Sequence, residues 1–159
     1  MKFKKSWREK LEESKGLPKV EEIGAKMSKR WGAGTGTVVI PAPKEVDEIM
    51  KKVPKGKVIT INEIRSALAR RHSATIGCPI TTGIFAHIAA QAAEEAAQEG
   101  RRRITPYWRT LKTGGVLNEK YPGGIARQRR RLQSEGHKVV KKGKRYVVQD
   151  YERALFKRV

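Results

Sequence analysis

The stretch Pro79–Glu99 constrains the fold more than any other part of the chain. Between Pro79 and Gln98 it holds no Lys or Arg, and Ile84, Phe85, Ile88, Ala89, Ala92 and Ala96 recur at helical spacing. A proline at the first helical position and an alanine-rich run predict one long helix. Its apolar stripe has to be covered, and the residues upstream supply the cover. Pro43 opens a helix with Val46, Ile49, Met50 and Val53 on one side. Pro54-Lys55-Gly56 turns into the short extended run Lys57 to Ile59. Thr60 or Asn62 caps the next helix, whose Ile61, Ile64, Ala67 and Leu68 face inward and which ends near Arg71-His72. That helix and the one from Pro79, joined by a tight polar turn, fit a helix-turn-helix.

The end of the chain adds a β element. His137 to Val140 and Arg145 to Gln149 are short β-prone runs around Lys141-Lys142-Gly143-Lys144, a hairpin with a cationic tip. A basic hairpin after a helix-turn-helix reads as a wing straddling a phosphate backbone, or as an edge whose lysines block aggregation. The expected fold class is mainly α with a small β component: a winged-helix-like helix-turn-helix domain over residues 42–159 with a C-terminal basic hairpin. Residues 1–41 read as a basic, partly flexible extension. Ser6 and Glu9 stand in capping-box spacing for a short helix from Ser6 to Ser14. Gly32 to Gly36 lacks the Lys-Ser/Thr ending of a phosphate loop and reads as a flexible joint. Thr37 to Ile40 is a short strand or an apolar anchor.

Charge narrows the partner. The 159 residues carry 36 Lys+Arg against 16 Asp+Glu, a formal +20, and residues 101–159 alone hold +14. A near-neutral middle followed by a strongly basic third is the footprint of a phosphate-binding surface. No apolar run approaches the roughly 18 residues of a membrane span, and Met1-Lys2-Phe3-Lys4-Lys5 is not the start of a signal peptide. A soluble, cytoplasmic, nucleoid-associated protein is expected. The single cysteine, Cys78, excludes an intrachain disulfide and a multi-cysteine zinc site. His72, His87 and His137 show no metal-ligand spacing, so neither metal nor cofactor is expected.

Ile104-Thr105-Pro106-Tyr107-Trp108-Arg109-Thr110-Leu111 resembles the active-site stretch of the alkylguanine-DNA alkyltransferases, whose signature reads Pro-Cys-His-Arg-Val. The following segments keep that family's register. Gly114-Gly115-Val116-Leu117 stands at its short turn, Tyr121-Pro122-Gly123-Gly124 at its Tyr-x-Gly-Gly, and Leu132 to His137 at its Leu-x-x-Glu-Gly-His. Upstream, Val53-Pro54-Lys55-Gly56-Lys57-Val58 resembles the Val-Pro-x-Gly-x-Val before the family's first DNA-binding helix. The resemblance spans about 43–137. It implies a helix-turn-helix that enters the minor groove of double-stranded DNA, turns an alkylated guanine into a pocket and moves the alkyl group to a cysteine thiolate.

The specialists of that chemistry are replaced. Pro106 and Arg109 match, and Glu135 matches the carboxylate of the family's hydrogen-bond relay. Tyr107 stands for the acceptor cysteine and Trp108 for the histidine. The inserted arginine falls at about Gly83, and the tyrosine that helps turn the nucleotide falls at Ile61. Self-alkylation at the family's position is therefore excluded. A cysteine-less branch, the alkyltransferase-like proteins, binds alkylated guanine without repairing it and hands it to excision repair. Tyr107 fits that branch in kind, although its members keep the arginine and the tyrosine.

Tyr107 and Trp108 offer aromatic faces for an unpaired base, at roughly 1–3 kcal/mol per stacked base, or else pack as core. Thr81, Thr82 and Gly83 place small side chains where a backbone approaches a groove, while Glu94, Glu95 and Glu99 lie at the far end. Arg101, Arg102, Arg103, Arg127, Arg129, Arg130, Arg131, Lys141, Lys142, Lys144 and Arg145 supply the grip on phosphates. The expectation is a non-catalytic DNA-binding protein that recognises alkylated or distorted DNA. Two alternatives stand beside it: alkyl transfer to Cys78, whose thiol precedes a helix N-terminus, and an RNA- or ribosome-associated basic protein.

Overall fold

The computed structural model describes residues 4–25, 29 and 36–159. Met1–Phe3 and residues 32–35 of the glycine-rich joint lie outside the described residues. Among the described residues five α-helices are seen: α1 (Trp7–Glu12), α2 (Pro43–Lys51), α3 (Ile61–Arg71), α4 (Pro79–Gln98) and α5 (Gly124–Ser134). Three small sheets accompany them. β1 (Lys19–Glu22), β2 (Thr37–Ile40) and β4 (Ile76–Gly77) form the first, β3 (Ile59–Thr60) and β5 (Thr110–Leu111) the second, and β6 (Val139–Lys142) and β7 (Arg145–Val148) the third. The chain is mainly helical with a small β component, as its patterning predicts.

α4 is the axis of the molecule. α1, α2 and α3 all pack against it. Ala86, Ala89, Ala90 and Ala93 meet Val46, Ile49 and Met50 of α2 and Ile64 and Leu68 of α3 in one core, joined by Val39 of β2 and by Tyr107 and Tyr121. Small residues along α4 bring its neighbours close, so this core is built on backbone proximity more than on bulk. A second core, Val58, Leu111, Leu117, Leu132, Val139 and Val148, lies beneath α5 and the β6–β7 hairpin. Trp108 packs against both.

Helix starts follow local chemistry. The Glu63 carboxylate accepts from the Thr60 N–H and hydroxyl, both at 2.8 Å, and so caps α3. Glu45 accepts from the Ala42 N–H at 3.0 Å and also meets His72 Nε2 at 2.6 Å, tying α2 to the end of α3. Ser6 caps α1, accepting from the Glu9 N–H at 3.1 Å. A six-residue helix is marginal alone; the Glu95 carboxylate of α4 accepts from the Trp7 and Arg8 N–H groups at 2.8 and 3.2 Å and fixes it in place.

Two glycines are required by geometry. A Cβ at Gly77 would lie 2.7 Å from the Arg65 carbonyl, so only glycine lets the α3–α4 connection close against α3. Gly115 has φ +79°, and a Cβ there would lie 2.5 Å from the Tyr151 ring. In the hairpin Lys142 pairs with Arg145, which leaves a two-residue turn, Gly143-Lys144, with φ +62° at the glycine. The expected four-residue tip is thus shorter, and Lys141 and Lys142 are strand residues.

Candidate nucleic-acid interface

The segment 104–111 is pinned at its start. Asp47 on α2 is buried, accepts from the Thr105 hydroxyl at 2.6 Å and pairs with Lys51 at 3.1 Å. Pro106 then leads into a single 3-10 turn, Tyr107–Arg109, before β5. This turn sends Tyr107 inward and brings Trp108 and Arg109 together on Glu135.

Tyr107 points inward and is 1% exposed. Trp108 and Tyr121 meet its ring edge-on, with centroids 5.4 and 5.5 Å away. Its hydroxyl lies 3.5 Å from Glu94, which also pairs with Arg127 at 2.9 Å. Burial pushes the phenol up, opposed by the Arg127 guanidinium beside it. Burial also pushes the Tyr121 phenol up. Tyr107 is therefore not a free platform for a base, as one of its two sequence readings would have it; the ring fills the site as a core residue.

Arg109 and Glu135 form a bidentate pair, Nε to Oε1 at 2.9 Å and Nη2 to Oε2 at 2.7 Å, while Arg109 Nη1 donates to the Val53 carbonyl at 2.8 Å. Their side chains are only 14% and 7% exposed. Trp108 Nε1 donates to the same carboxylate at 3.0 Å. Burial alone would raise the Glu135 carboxyl, but the donors from Arg109 and Trp108 outweigh it and hold it below the usual carboxylate range. Arg131 lies 4.3 Å from the Trp108 ring centroid, so a cation already covers this half-buried indole. Gln128, buried, donates to the Trp108 carbonyl and accepts from the Asn118 N–H, fastening the turn to α5.

The cations fall into three groups. Arg129 and Arg130 on α5 and Lys141, Lys142, Lys144 and Arg145 on the hairpin are exposed. Arg129 and Lys141 stand 5.8 and 6.0 Å from the Tyr146 ring centroid, so helix and hairpin share one basic surface. Arg127 is not part of it: its guanidinium is committed to Glu94 and the Tyr107 hydroxyl. Arg101, Arg102 and Arg103 are exposed but follow the C-terminus of α4, a 20-residue helix roughly 30 Å long. They flank α1 and α2 and are not brought together with Thr81, Thr82 and Gly83.

At the start of α4, Thr82 is fully buried, which removes its side chain from any interface, and the Thr81 hydroxyl is covered as well. Gly83 faces open space. Ile84, expected in the buried stripe, is 51% exposed, and Ile80 is 47% exposed. The legible signal was phase: Thr82, Ala86, Ala89, Ala93 and Ala96 follow one helical line, and Ile84 is off it. The carboxylates at the far end serve the fold, Glu94 on Arg127, Glu95 capping α1 and Glu99 on Arg8. Cys78 is 6% exposed at the N-cap of α4, where its N–H donates to the Val39 carbonyl. Among the described residues no three metal-ligating side chains gather.

No known protein-family model and no curated protein matches the chain. Two solved structures are similar to it. One is S. pombe Atl1 in complex with damaged DNA containing O6-carboxymethylguanine, at 19% identity and a TM-score of 0.47, covering 72% of this chain and 93% of that one. The other is S. pombe ATL in complex with DNA, at 18% identity and a TM-score of 0.46, with the same coverage.

Proposed function

We propose that the chain is a non-catalytic, double-stranded-DNA-binding protein of the alkyltransferase-like kind. One observation carries this reading: the convergence of Arg129 and Lys141 on Tyr146, which joins α5 and the hairpin into one exposed basic surface. None of its cations pairs with a carboxylate among the described residues. In this reading α3 and α4 act as the helix-turn-helix and β6–β7 as the wing of a unit spanning 42–159. The extension 1–41 docks through α1 on α4. The protein works in the cytoplasm on nucleoid DNA.

The former chemistry supports a binding role over a catalytic one. A buried phenol stands at the acceptor position, and the only thiol is buried. Trp108, Arg109 and Glu135 have become a hydrogen-bonded brace for the 3-10 turn. With Tyr107 filling the site, distorted duplex is a better target than an extruded alkylguanine, and excision-repair proteins are the partners such a role calls for.

Fluorescence anisotropy with a labelled duplex, with and without one alkylguanine, tests this. Both should bind at low salt with similar affinity, and intact mass should be unchanged after incubation. Absence of binding would overturn the DNA reading. A strong preference for the alkylated duplex would show that Tyr107 yields its place to a base, and a mass increase would establish alkyl transfer.

A further inference from the structure

Val20, Ile80 and Ile84 are the large apolar side chains left exposed among the described residues, and two of them form one patch. Ile80 and Ile84 stand one helical turn apart at the start of α4. Gly83 lies on the same face, with nothing within 4 Å of where its Cβ would be. The two side chains therefore rise as a ridge beside bare backbone. Water is a poor neighbour for such a ridge, and α4 has abundant small residues that would have avoided it.

The surroundings are polar and cationic. Along the same stripe come His87 and Gln91, and the Gln91 amide reaches the Lys120 carbonyl at 3.5 Å. On the α3 side, Asn62, Arg65, Ser66 and Thr75 line a cleft of about 340 Å³ that reaches Gly77, two residues before α4. The first three turns of α4 carry no carboxylate. An apolar ridge is thus set among hydrogen-bond donors and positive charge.

Charge and size choose between occupants. A second copy would bring +20 against +20, and two isoleucines cover far less than the roughly 800 Å² per partner of a stable interface. Duplex DNA meets both requirements, because its phosphates lie outside and its apolar base faces are stacked within.

We propose that Ile80 and Ile84 form a wedge that inserts between stacked base pairs, opens one step and kinks the duplex. This rests on the DNA-binding reading and adds the means of discrimination. α4 offers no Arg, Asn or paired amide for base edges near its start. A wedge reads instead how easily a step unstacks. A mismatched step, already part-opened, accepts it at lower cost, so preference for distorted DNA follows without a base pocket.

The test uses the full chain and a duplex carrying 2-aminopurine at its central step, with end labels reporting the bend by energy transfer. Wild type should raise 2-aminopurine fluorescence, bend the duplex and prefer one with a central mismatch. I80A/I84A should lose the fluorescence rise, the bend and the mismatch preference while its affinity for matched duplex keeps the same salt slope. I84L should retain all three, and unchanged circular dichroism shows that the variants are folded. Binding by wild type without unstacking overturns the wedge and leaves the DNA reading intact, as does unstacking that survives I80A/I84A. No binding by wild type overturns both. A free protein that sediments as a dimer and becomes monomeric in I80A/I84A assigns the ridge to a second copy instead.

Discussion

Glu135→Ala removes three acceptor contacts at once: Trp108 Nε1 at 3.0 Å and two guanidinium nitrogens of Arg109 at 2.9 and 2.7 Å. Arg109 would keep only the Val53 carbonyl, while its side chain is 14% exposed. Removing one partner of a largely buried pair costs about 3–5 kcal/mol, because the remaining charge is stranded. In a chain of this size each kcal/mol lowers Tm by about 2–4 °C, so a fall on the order of 10 °C is expected. Urea unfolding followed by tryptophan fluorescence and by circular dichroism gives the free energy directly. R109A strands the carboxylate in the same way, with Trp108 and the Gly56 N–H left to it. The double variant R109A/E135A should therefore lose much less than the two single losses together. A loss below about 1 kcal/mol for E135A, the range of exposed ion pairs, would refute the brace. So would additivity of the two substitutions to within about 0.5 kcal/mol.

Tyr107→Ala empties a fully buried aromatic site and should cost about 3–5 kcal/mol, whereas Tyr107→Phe keeps the packing against Trp108 and Tyr121 and should cost about 1 kcal/mol through the lost hydroxyl. Chemical denaturation of the two variants checks the ratio, and equal losses would mean that the hydroxyl, not the ring, holds the site. Burial lowers the His87 imidazole, Lys120 adding to it, and burial likewise lowers His137. The unfolded chain then binds more protons, so this stability is complete above about pH 6.5 and declines as the pH drops below it. Glu45 and Glu135, held low by their donors despite burial, keep their contribution until the pH falls through the carboxylate range and lose it there. Denaturation from pH 8 to pH 3 should show decline beginning near pH 6.5 and steepening in acid; constant stability down to pH 4 would contradict both assignments.

Local chemistry made most of the scaffold readable. The proline starts of α2 and α4, a cap at Thr60 (one of the two candidates, with Asn62) and the β-prone runs around Gly143 each act over a few residues, and each element lies where those signals put it. What escaped was set by contacts between distant segments. Tyr107 is as aromatic in sequence as a stacking platform; only Tyr121, Glu94 and Arg127, from three other places in the chain, make it core. Arg127 looked equivalent to Arg130 until Glu94 claimed it. Arg101 to Arg103 follow α4 directly in sequence, yet its length of roughly 30 Å keeps them apart from Thr81 to Gly83 at its start. The exposure of Ile84 was available from helical phase, but apolar character placed it inside.

In the proposed function the joined cations of α5 and the hairpin grip the phosphates of duplex DNA. The most direct measurement is the dependence of duplex affinity on salt for wild type and for K141E/K142E/K144E. Six exposed cations, Arg129, Arg130, Lys141, Lys142, Lys144 and Arg145, correspond to a log–log slope of about −5. The triple reversal should flatten that slope by about 3 and weaken binding by orders of magnitude at low salt, with circular dichroism unchanged. A slope near zero in wild type, or one that the triple reversal leaves in place, would contradict the account.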